Sequence, residues 1–117
     1  MTMKKIGIEE ITWEISVEID HIPVRGNAIA SGDDKYDRRV ENRILKRLEN
    51  GDPWAWGSVC VTGTWEGIEE REYLGACSYR NEQDFIRSGY YDEMRNSIRD
   101  EIQFHADRIA AAIGGDR

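Results

Sequence analysis

Cysteine and histidine are scarce in this chain: 117 residues hold two of each, Cys60, Cys77, His21 and His105. A structural zinc site draws four such side chains at fixed spacing, and no spacing of that kind exists here. With no export signal in sight, the cysteines read as reduced thiols, packed as small apolar side chains. The start MTMKKIGIEE turns acidic before any hydrophobic leader segment forms, and no later run is long enough to span a membrane. Phosphate-cradling glycine patterns are missing too. Gly57, Gly63, Gly67 and Gly75 fall in or between predicted strands, where glycine marks bulges, turns or close approach. Ser58 and Ser78 lack the glycine-flanked elbow of a hydrolase. A nucleophilic triad would need a base recruited from afar, His21 or His105. These absences imply no cofactor and no metal, and favour a binding protein over an enzyme.

Positive charge is also in short supply. Sixteen Lys and Arg face 23 Asp and Glu, for a formal net charge of -7. Sequence-independent nucleic-acid binding runs on neutralised phosphates, so direct contact with DNA or RNA is excluded as an expectation. The acidity fits simple solubility, or competition for a basic groove that normally holds nucleic acid. Four Trp, five Tyr and two Phe argue for a packed core rather than disorder. The length fits one domain over residues 1–117.

What is abundant is concentrated. Gly51 to Tyr91 carries Trp54, Trp56 and Trp65, both cysteines, four tyrosines and the acids Glu66, Glu69, Glu70 and Glu72. Before it, Ile11 to Asp20 alternates Ile11, Trp13, Ile15, Val17 and Ile19 with Thr12, Glu14, Ser16, Glu18 and Asp20. That period of two predicts a half-buried strand with one wet, acidic face. Ser31-Gly-Asp33-Asp34 offers a helix start, and Tyr36, Val40, Ile44 and Leu48 recur every four residues up to Asn50-Gly51. This helix holds Arg38, Arg39, Arg43, Lys46 and Arg47, the one strongly basic element.

Trp54 to Trp65 predicts a second strand, Glu66-Gly67 a turn, and Glu70 to Tyr79 the returning strand. Asn81 to Asp84 opens a short helix around Phe85, interrupted at Ser88-Gly89. From Tyr90 a long amphipathic helix runs through Met94, Ile98, Ile102 and Ile109 to Gly114-Gly115. The order β-α-β-β-α predicts an α+β fold: a three-stranded antiparallel sheet covered on one face by two helices, the last broken near Ser88-Gly89.

Two features stand out as candidate contacts. Glu14 and Glu18 on the first strand and Glu66, Glu69, Glu70 and Glu72 on the hairpin suggest an anionic surface, with Trp54, Trp56 or Tyr73 as apolar anchors. The same acids also serve simply to keep a sheet face and edge wet. Strand parity puts Trp54 and Trp56 opposite to Trp65, so one set faces away from the helices unless the strand bends.

Together, VRGNAIASGD, GDPWAWGSVCVTGTW, YLGACSY and DFIRSGYYDEM resemble small orphan proteins of bacterial phages and mobile elements, from about Val24 to Met94. That resemblance brings no catalytic or binding residues with it. It implies a setting that includes anti-CRISPR proteins, which inhibit by occlusion or by imitating nucleic-acid charge. The expectation is therefore a cytoplasmic, non-enzymatic inhibitor of a host defence nucleoprotein or nuclease, such as a CRISPR effector subunit with a basic surface. The basic helix argues for occlusion over full mimicry. The alternatives are a self-associating accessory or scaffold protein, for example a homodimer burying the tryptophans, and an uncharacterised small enzyme.

Overall fold

The alternation of the first strand is realised from Thr12 to Glu18 in the computed structural model, which describes residues 4–114, while Ile19, expected on the buried face, is exposed. Strand β1 (Thr12–Ile19) turns Thr12, Glu14, Ser16 and Glu18 to solvent, and half-buries Trp13, Ile15 and Val17. Helix α1 (Asp34–Glu49) follows, then β2 (Gly57–Trp65), β3 (Ile68–Cys77), α2 (Glu82–Arg87) and α3 (Tyr90–Gly114). The strands form one antiparallel sheet of order β1-β2-β3, an α+β fold in the expected order. The expected leader-free start at Met1 to Met3 and the terminal Gly115 lie outside the described residues.

The β2–β3 hairpin is closed by Glu66 and Gly67, both at positive φ, 44° and 83°. Two such residues make the type I′ turn whose twist matches antiparallel strands. Closing there pairs Trp65 with Ile68, so β3 begins two residues before the expected Glu70. At the other end β2 starts at Gly57, not Trp54. Pro53–Ala55 forms a short 3-10 helix instead, capped by the Asp52 side chain, which accepts a hydrogen bond from the Trp54 backbone N–H.

One face of the sheet is packed. Val59 and Val61 of β2 are fully buried against Ile98 and Ile102 of α3 and Phe85 of α2, joined by Ile6, Ile11, Met94 and Ala106. The two helices over this face are thus α2 and α3, the halves of the broken C-terminal helix. Gly89, at φ 93°, makes the break, and the Ser88 hydroxyl donates to the Phe85 carbonyl.

Helix α1 lies elsewhere, which corrects the expectation that it shares the sheet cover. Its stripe packs with Val24, Ala55 and Trp56 in a second cluster, flanked by Ala28, Val40, Leu45, Leu48 and Ala76. Glu41 is buried on its inner side, where its carboxylate accepts hydrogen bonds from the Gly26 N–H at 2.8 Å and Arg25 Nη1 at 3.1 Å. These two bonds, the Gly26 one foremost, hold Glu41 below the usual carboxylate range. Asp20 anchors the junction between β1 and the far end of β3. It accepts N–H bonds from Ile22 at 3.0 Å and Ala76 at 2.8 Å, which lower its pKa.

With its two clusters the chain is long: it extends 67 × 27 × 23 Å and has a radius of gyration of 18.9 Å. A compact domain of this length would have about 13 Å. Among the described residues no helix is long and apolar enough to cross a membrane.

Candidate binding surface

The sheet face away from α2 and α3 can be read row by row from the pairing. Thr12, Thr64 and Glu69 form one row, Glu14, Thr62 and Arg71 the next, and Ser16, Cys60 and Tyr73 the third. Glu18 lies beside Ser58 in the fourth. Every side chain in this grid is short or charged except Tyr73, which is 66% exposed. A shallow depression of about 200 Å³ lies at its centre, lined by Ser16, Glu18, Ser58, Cys60, Arg71 and Tyr73. Arg71 reaches Glu69 at 3.0 Å. The Tyr73 hydroxyl and then Glu69 stabilise its guanidinium and raise its pKa.

The candidate residues divide across the sheet. Glu14, Glu18, Glu69 and Tyr73 meet on this open face, and Glu66 sits exposed in the turn at its end. Glu70 and Glu72 do not join them. They alternate to the helix-covered side, where both are partly buried. The single acidic cluster expected from the run Glu66 to Glu72 is therefore two groups, because neighbours on a strand point to opposite faces.

The tryptophans are core residues, which corrects their expected role as anchors. Trp56 is 4% exposed, and its indole Nε1 donates to the Ile22 carbonyl at 2.7 Å. Trp54 packs on Phe85 and Tyr79, with ring centroids 5.8 and 6.5 Å away. Trp65 is partly buried on the α3 side. The parity conflict dissolves because Trp54 and Trp56 precede β2, in and just after the 3-10 turn where strand parity does not apply: Trp54 joins Trp65 on the larger cluster and Trp56 enters the smaller one. Of the two tryptophans that a homodimer was expected to bury, Trp56 is already buried within the chain and Trp54 is partly buried.

Arg71, Cys60, Ser16 and Ser58 belong to the open face and were not singled out by sequence. Counting parity outward from Glu14 through the antiparallel register would have found them. Of the histidines, His21 is exposed, and His105 Nε2 lies 3.3 Å from Glu70 Oε2 at the rim of the covered face. Cys77 is on the covered side, donating to the Gly57 carbonyl, and burial pushes its thiol pKa up. No family model matches the chain, and no curated protein or solved structure matches it.

Proposed function

We propose that the protein is a binding protein that lays its open sheet face on a basic surface of a macromolecular partner and inhibits it by occlusion. The observation that carries this reading is the uncovered face itself, which holds Glu14, Glu18 and Glu69 in separate rows together with the exposed Tyr73. A sheet face left without a helix is normally wet and polar. An aromatic standing on it among carboxylates is the combination that contact hot spots use. Three carboxylates against one guanidinium, Arg71, give a mild negative field, suited to steering towards Lys and Arg rather than to copying a nucleic-acid backbone. Partners of the class implied by the resemblance, host defence nucleoproteins and CRISPR effector subunits, present such basic grooves.

Size sets a further condition. Three strands about 4.8 Å apart and eight residues long give a projected face of about 400 Å². A standard interface buries about 800 Å² per partner. The proposed contact therefore needs surface beyond the grid as well.

Charge substitution separates the two acidic groups. In capture assays against purified CRISPR effector complexes, Glu14→Lys with Glu18→Lys and Glu69→Lys is expected to weaken binding at least tenfold. Neutralising the covered-side pair, Glu70→Gln with Glu72→Gln, leaves capture within about twofold. The reverse ranking, or no capture by any effector complex, overturns the proposal.

A further inference from the structure

Glu70 and Glu72 occupy positions where the alternation of β3 calls for apolar side chains, since Ile68 and Leu74 share their face. A carboxylate directed under a helix needs a compensating cation. Among the described residues the ion-pair partner of Glu70 is His105, which is charged only when protonated. Glu101 stands beside them, and among the described residues it makes no salt bridge. Two carboxylates and an imidazole thus converge, and among the described residues no Lys or Arg forms a salt bridge with them.

The backbone builds this convergence. Gly63 pairs with Glu70 across the hairpin, and a Cβ on Gly63 would come within 2.8 Å of Ile98 Cγ2. The missing side chain lets α3 lie close to the sheet at that point. Glu101 and His105, four residues apart and so on one face of α3, then overhang β3. His105 Nε2 is 3.3 Å from Glu70 Oε2, and one ligand atom of each of the three residues lies within 4.8 Å of the others.

We propose that Glu70, Glu101 and His105 form a binding site for a divalent transition-metal ion, with Zn²⁺ the ion it fits best. Tetrahedral zinc with bonds of about 2.0–2.1 Å sets its ligand atoms about 3.3–3.4 Å apart. The His105–Glu70 pair already has that spacing. Closing the third edge needs movement of Glu101, an exposed side chain with free rotamers. Imidazole with two carboxylates suits zinc and its first-row neighbours better than calcium or magnesium, which take oxygen donors alone. Three protein ligands leave the fourth position to water. The bound ion ties α3 to the edge strand β3, on the side of the sheet opposite the open face.

The test uses the full chain, stripped with chelator and titrated with ZnCl₂ by calorimetry while the histidine ring signals are followed by NMR. One equivalent is expected, with the His105 ring shifting and the His21 ring unmoved. His105→Ala and Glu70→Gln each weaken binding about tenfold or more, as metal-site lesions do. Glu101→Gln, an exposed change that leaves packing alone, does the same. Excess zinc raises Tm of the parent chain by roughly 5 °C and leaves that of His105→Ala unmoved. Absence of binding at millimolar zinc overturns the site. So does affinity that survives His105→Ala and Glu101→Gln, or that is lost only on replacing Cys60 and Cys77 by Ser.

Discussion

Trp56→Ala is expected to cost about 3–5 kcal/mol of unfolding free energy, the range for truncating a large buried aromatic side chain. Trp56 is 4% exposed and sits at the centre of the smaller cluster, with Val24, Ile44 and Ala55. Its indole N–H is paired with the Ile22 carbonyl at 2.7 Å, so the truncation also strips that acceptor of its partner. The cluster ties α1 to the turn at Pro53–Ala55, the segment around Val24 and Ala76 of β3, and beyond it Arg47 Nη2 donates to the Tyr79 and Arg80 carbonyls at 2.6 and 3.2 Å. The loss should therefore appear first as an early helical transition in urea, followed by circular dichroism, while the hairpin persists. A single unshifted transition would show that α1 docks by other means.

Phe85→Ala should be equally severe and different in kind. Phe85 is fully buried and meets Trp54, Tyr79 and Tyr91 with ring centroids 5.8, 5.4 and 5.8 Å away. Losing the ring removes about 3–5 kcal/mol by burial and cavity formation, within which each aromatic pair counts for about 0.5–1.5 kcal/mol. Because Phe85 belongs to the cluster that joins α2, α3 and the sheet, none of these three can melt alone. The expected outcome is one cooperative transition at a much lower urea midpoint, seen equally by fluorescence and circular dichroism. A change under 1 kcal/mol would contradict the packing described.

The contrast between the two residues shows what was legible in the sequence. The alternation from Ile11 to Glu18 gave a strand and both of its faces, because period two has no other explanation, and it failed only at Ile19, where the strand runs past the helices' cover. Glu66-Gly67 and Ser88-Gly89 marked a turn and a break through backbone chemistry alone. The stripe of α1 was equally clear as a helix, but a stripe does not name its neighbour, and here it meets Trp56 rather than the sheet. Trp56 itself was hidden because Asp52 and Pro53 start a 3-10 turn ahead of the strand.

The candidate surface was half legible. Glu14 and Glu18 were placed on the wet face by parity, and they are there. The hairpin acids were grouped by nearness in sequence, whereas the type I′ turn fixes their register and sends Glu70 and Glu72 to the covered side. His105 meeting Glu70 depends on how α3 crosses β3 at Gly63, which no local pattern encodes.

The central claim is that the open sheet face is the contact surface, and Cys60 reports on it directly. Its thiol lies in that face between Ser16 and Tyr73, while Cys77 lies on the covered side. Alkylation of each thiol, read by mass spectrometry with and without a captured effector complex, compares the two faces within one molecule. The account predicts that the bound partner slows Cys60 alkylation about tenfold or more and leaves Cys77 unchanged. Cys60 reacting at its free rate in an intact complex would place the contact elsewhere and contradict the account.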